Sequence, residues 1–172
     1  CGVLPNAGWA PIPEPVLGFS QTHVSGTGGG QKYGNVLIQP YLNISSEEKR
    51  IEPWIAYPQH RESETVELGY YTATYENGIR TEITTGDRCA YYRFHCPSDG
   101  CLFVDVTHFL GKDTVPNLRE RQQFVDARLE VDSEYMVQGY TCVRGGWNNG
   151  TPYTVYFCIQ SDSPFSAKTD TA

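Results

Sequence analysis

Apolar and aromatic residues recur along this chain in short runs with a period of two, and Gly, Asn and Pro punctuate the intervals between them. That is the pattern of half-buried strands, and the 3.6-residue spacing of an amphipathic helix is almost absent. Tyr33 to Gln39 reads as one strand and Val66 to Tyr75 as a second, with Val66, Leu68, Tyr70 and Thr72 on one face. Asn77-Gly78 follows, a pair that tolerates the positive φ of a type I′ hairpin turn. Ile79 to Thr85 then returns as a strand. Arg88 to Cys96 alternates Ala90, Tyr92, Phe94 and Cys96 on its apolar side, and Cys101 to Thr107 points Leu102, Val104 and Val106 inward. Lys112 to Gln123 is polar, holds Pro116 and reads as a loop with a helical turn. Ala127 to Val131, Tyr135 to Val143 and Tyr153 to Ile159 complete the series, the last two joined across Asn148-Asn149-Gly150. Many strands with Gly and Asn turns predict an all-β antiparallel sandwich, with only short helices between Leu110 and Phe124. Hairpin neighbours follow from the sequence; sheet order does not.

Composition narrows the picture. The 172 residues suffice for one domain with a real core, and Tyr, with 12 copies, leads the aromatics as suits pleated surfaces. The whole chain, 1–172, reads as a single sandwich domain, with 166–172 a solvated tail. A net charge of −7 with no stripe of Lys or Arg argues against nucleic acid and against an anionic membrane surface. No run of about 18 apolar residues is present to span a bilayer, and no signal peptide is visible in the sequence. The six cysteines include no CxxC pair, which argues against a structural zinc. Cys96 and Cys101 flank a Pro-Ser-Asp-Gly turn and read equally well as a disulfide or as two small buried hydrophobes.

The segment with most chemistry is GFSQTHVSGTGGGQKYGNVLIQP, residues 18–40. It places His23, Ser25 and Thr27 among glycines, including Gly26, that let backbone approach a ligand closely. Imidazole and hydroxyls both donate and accept, as recognition of a polyol requires. A nucleotide loop would sit between a strand and a helix and carry a Lys-Ser/Thr pair; neither holds here. A glycine-rich connection without a ligand stays open on the residues alone.

These 23 residues resemble the "GFSHTHLSGTG…YGD/N" signature of glycoside hydrolase family 92, the calcium-dependent exo-α-mannosidases. The stretch QHRESETVELGYYTATYENGIRTEITTGDRCAYYRFHCP is similar to the family's "SHExExAxPGYY" strand and the segment after it. GGWNNGTPYTVYFCIQSDSPF is similar to its "YYVYF…PF" segment, so the resemblance runs over residues 15 to 165. It implies the N-terminal β-sandwich, of galactose-mutarotase-like supersandwich type, of a two-domain secreted or periplasmic bacterial enzyme that releases terminal α-linked mannose with inversion. It also implies that a C-terminal (α/α)₆ domain, absent here, supplies the general acid, the general base and the calcium ligands. This chain alone is then inactive, with no catalytic residue and no cofactor of its own. Its contribution would be substrate-facing groups toward α-mannoside glycans: Gln21, His23, Ser25, Gly26 and Thr27, with His60 from the QHRESE match and Trp54 as a stacking ring.

Gln21 stands where the family has its first histidine, and a glutamine hydrogen-bonds a sugar without acid–base chemistry. The family's N-terminal "NPFIGTGG" stretch is not visible before Gly18. Glu62 and Glu64, two residues apart on a strand, could sit at the roughly 6.5–9.5 Å an inverting glycosidase needs. The resemblance assigns that pair to the other domain. The competing reading is a stand-alone carbohydrate-binding sandwich, and the length of the parent reading frame separates the two.

Overall fold

A computed structural model describes residues 2–3, 15–22, 33–42, 60–111, 121–146 and 150–169, and the fold is stated for those residues. Eleven strands run in order: β1 (Gly2–Val3), β2 (Phe19–Ser20), β3 (Leu37–Leu42), β4 (Arg61–Glu67), β5 (Tyr70–Tyr75), β6 (Arg80–Thr85), β7 (Ala90–His95), β8 (Gly100–Asp105), β9 (Gln122–Ser133), β10 (Met136–Gly145) and β11 (Pro152–Gln160). Every strand pairing is antiparallel. They form three sheets, ordered β1-β2-β3-β8, β4-β5-β6-β7 and β11-β10-β9. The described residues contain no α-helix, and the expected helical turn falls on 112–120, outside them.

The core lies between the first two sheets. Tyr71, Ala73, Tyr75, Ile79 and Ile83 project from the β4–β7 meander onto Val16 and Phe19, with Leu42, Ala90, Tyr92 and Phe94 packed around them. Phe19 meets Tyr71 edge-on at 6.0 Å and Tyr92 at 6.2 Å between ring centroids. The alternation expected for β7 is therefore present through Phe94, but Cys96 has left the strand and is exposed. A smaller cluster joins Leu37, Leu110 and Leu17 beneath the start of β3.

Several boundaries differ from the sequence expectation, each for a local reason. The run from Val66 to Tyr75 is two strands folded at Leu68-Gly69, where Gly69 takes φ 79°. Leu68 is fully exposed at that turn and Val66 is 44% exposed, so the inward set is Tyr71, Ala73 and Tyr75. The sequence of β4, RESETVE, is polar on both faces, so no apolar alternation marks its bounds. Asn77-Gly78 does sit at a hairpin tip, in a loop of a different type. Gly78 N donates to Tyr75 O at 2.8 Å and alone takes positive φ (82°), while Asn77 Oδ1 accepts from Ile79 N at 3.1 Å. That is a type I turn closed by a glycine bulge, not a type I′ turn. In β8, Leu102 is 42% exposed, whereas Val104 and Val106 are half-buried. Cys96 and Cys101 are free thiols: Cys96 Sγ lies 3.1 Å from where a Cβ on Gly100 would sit, and strand alternation sends Cys101 to the other side.

Candidate functional site

Positions 33–36, expected as strand, instead form the most constrained backbone described. Tyr33 (φ 63°), Gly34 (φ 68°) and Val36 (φ 59°) all lie in the left-handed region. For a β-branched residue that is an outlier, costing on the order of 1–2 kcal/mol. The surroundings over-determine it. Gly34 N donates to Thr22 O at 2.5 Å, and Leu110 N donates to Tyr33 O at 2.6 Å. His108 Nδ1 lies 2.7 Å from Gly34 O and must be the donor, which fixes the ring's tautomer. The buried Gln122 side chain accepts from Tyr33 N at 3.4 Å and donates to Leu110 O. Only glycine fits at 34, because a Cβ there would come 2.5 Å from Leu110 Cγ.

Two hydroxyls lock this segment onto β2. Thr22 Oγ1 accepts from Asn35 N at 2.8 Å and donates to Asn35 Oδ1 at 3.1 Å. Ser20 Oγ donates to Asn35 O at 2.7 Å and accepts from Thr22 N at 3.2 Å. The two ends of the glycine-rich stretch, Thr22 and Tyr33, are thereby held side by side. They open onto a cavity of about 320 Å³ lined by Gln21, Thr22, Tyr33, Asn35, Tyr153 and Val155.

The chemistry of this cavity is aromatic walls with amide and hydroxyl groups. Tyr33 and Tyr153 meet edge-on at 5.7 Å. Tyr153 Oη donates to Asn35 Oδ1 at 3.4 Å, and burial raises the Tyr153 phenol's pKa. Asn35 is 2% exposed, yet its Nδ2 has no hydrogen-bond partner. Thr141, opposite Val155 in the sheet but not in the cavity's lining, also buries an unpartnered hydroxyl. Each such group costs about 1–3 kcal/mol unless something arrives to bind it.

Of the residues singled out from sequence, Gln21 lines this cavity, but its amide donates to the hydroxyl of the half-buried Tyr92. Burial of that phenol pushes its pKa up to about 12, a shift the Gln21 bond opposes. His60 is exposed below β4, its carbonyl accepting from Glu76 N at 3.0 Å, and is not among the cavity's lining. His23, Ser25, Gly26, Thr27 and Trp54 lie outside the described residues. Tyr33, Asn35 and Tyr153 were not singled out, although the first two stand in the YGN triplet of the quoted signature. Glu64 is paired with Arg61 at 2.8 Å, and Glu62 occupies a bulge in β4, so the alternation that would have made them a carboxylate pair is broken. Among the described residues no three His, Cys, Asp or Glu side chains converge as metal ligands. No helix among them is long and apolar enough to cross a membrane.

Comparison with known proteins adds two findings. Residues 5–171 match the glycosyl hydrolase family 92 N-terminal domain. An uncharacterized secreted glycosidase of Arthroderma benhamiae is 34% identical over 108 residues, covering 54% of this chain. That alignment takes in 13% of the relative's length, so the chain spans a small part of the curated protein it matches.

Proposed function

The chain belongs to glycoside hydrolase family 92 as its N-terminal domain, and from that premise we propose that it forms one wall of the substrate pocket of an exo-acting, inverting α-mannosidase. The observation that carries this reading is the orphaned Asn35 amide in a cavity walled by Tyr33 and Tyr153, beneath the two ends of the glycine-rich segment. An amide donor, a phenol and aromatic edges are what a pyranose ring with equatorial and axial hydroxyls requires. On this reading His23, Ser25 and Thr27 face the substrate, and His60 and Trp54 remain candidates for contacts away from the Asn35 cavity. The catalytic carboxylates and the calcium ligands come from a helical domain outside these residues, and the chain alone turns over no α-mannoside. The enzyme acts outside the cytoplasm on this reading, as does its fungal relative, a secreted glycosidase.

The β9–β11 sheet supports the two-domain arrangement. Its apolar face runs through Thr141 and Val143, which are buried, out to Phe124 and Val131, which are 40% and 43% exposed. A half-covered apolar face beside the cavity is where the helical domain would dock. The test is Tyr153→Phe and His23→Ala in the longer enzyme. The reading expects kcat/KM on an aryl α-mannoside to fall about tenfold or more with Tm nearly unchanged. Normal activity per folded molecule with a large fall in Tm makes both residues structural and ends the proposal.

A further inference from the structure

We propose that a second cavity, where β9 begins and β10 ends, is a binding site for a phosphate-type oxyanion. It measures about 270 Å³ and is lined by Arg121, Gln123, Arg144, Gly145 and Gly150. Arg144 is paired with Gln123 and Pro152 in the sheet, while Val143 and Tyr153 alternate to the opposite face. The cavity therefore lies across the sheet from Asn35 and is independent of the sugar-facing reading.

Its chemistry differs from that of the first cavity. No aromatic ring lines it among the described residues, and two guanidinium-bearing residues do. Arg144 donates Nε to Gln123 Oε1 at 2.9 Å, which orients its guanidinium plane. Arg61, Arg80, Arg93 and Arg128 each stand within 4.0 Å of a glutamate; Arg144 has no ion-pair partner among the described residues. A planar guanidinium fork matches an oxyanion bidentately.

The backbone is closed at one glycine of the lining and open at the other. Gly146 N donates to Arg121 O at 2.8 Å, pinning that strand end. Gly145 (φ 105°) lies so close that a Cβ would come 2.0 Å from Arg121 O, so no other residue fits there. Gly150 (φ 84°) has nothing within 4 Å of its Cβ position. The protein's net charge of −7 does not gather anions from a distance, so a bound one is held by contacts inside the cavity.

The experiment is a titration of the ¹⁵N-labelled chain with inorganic phosphate, followed at the Arg144 Nε–H and the Gly145 and Gly150 amides. Saturable shifts at these positions are expected, with sulfate competing and glucose leaving them unmoved. Arg144→Gln should weaken binding at least about tenfold while the dispersion of the remaining spectrum stays native; Arg121→Gln, which keeps the backbone carbonyl, should weaken it too. A glucose 6-phosphate arm identifies the source. Tighter binding than phosphate marks an oxyanion carried on a sugar, and equal or weaker binding marks the free anion. No saturable shift in the unmodified chain, or phosphate bound equally well by both variants, overturns the proposal.

Discussion

The β4–β7 meander and the β9–β11 sheet have similar alternating sequences and different fates. In the meander the inward set of Tyr71, Ala73, Tyr75 and Ile83 is buried to 7% exposure or less against Phe19 and Val16. In β9–β11 the corresponding set of Ala127, Leu129, Val131, Val137, Phe157 and Ile159 is only half-covered or exposed. Period-two alternation specifies which face of a sheet is apolar; what covers that face depends on a partner element that the strand's own sequence does not name. Both cavities draw residues from the β9–β11 sheet, Tyr153 and Val155 for one and Gln123, Arg144 and Gly145 for the other.

The largest expected contrast is in stability. Ile83→Ala should cost about 3 kcal/mol in urea unfolding, because Ile83 is 1% exposed and its loss leaves a cavity. Leu129→Ala, on the half-covered face, should cost less than about 1 kcal/mol. Comparable costs would mean that the β9–β11 face is covered as fully as the meander's. Gly34→Ala comes next, at about 2 kcal/mol, since the new methyl meets Leu110 and the backbone must hold φ 68°. A neutral result would show that the Tyr33–Val36 segment is not held as tightly as its hydrogen bonds indicate.

The smallest effect lies on the meander's outer face. Glu82 Oε1 accepts from Tyr70 Oη at 2.7 Å and Arg80 Nη2 at 2.9 Å, and its Oε2 lies 2.7 Å from His95 Nε2. The Tyr70 bond, followed by the His95 contact, holds the carboxyl's pKa below its usual value of 4.5. A depressed folded pKa gives stability that is complete above the unfolded value and lost as pH falls through the folded one. Unfolding midpoints measured downward from neutral pH should therefore drop more steeply in the native chain than in Glu82→Gln. Parallel profiles would remove Glu82 from the account.

Much of this molecule was legible in advance. Tyr-, Thr- and Val-rich alternation with Asn-Gly punctuation specified the sheets, and residues 79–85, 88–96 and 153–159 lie where expected to within about two residues. The division at Leu68-Gly69 was hidden because Leu68 extends the alternation while pointing to solvent. The site was legible as a segment and not as side chains. Tyr33 and Asn35 look like the first residues of a strand, and only Thr22, Ser20, His108 and Gln122, drawn in from three other parts of the chain, force them into the left-handed turn that opens the cavity. Tyr153 joins them from a strand 118 positions after Asn35, a juxtaposition no local pattern encodes.

The central claim is that the Asn35 cavity receives a neutral sugar, and the side-chain amide of Asn35 reports on it directly. Titrating the ¹⁵N-labelled chain with methyl α-mannopyranoside should shift the Asn35 Nδ2–H₂ resonances saturably, together with the Thr22 amide, and leave Gly145 and Gly150 unmoved. Tyr153→Phe should reduce the affinity. An Asn35 amide that stays in place at sugar concentrations that saturate the intact enzyme, or one that moves no more than surface amides do, contradicts the account.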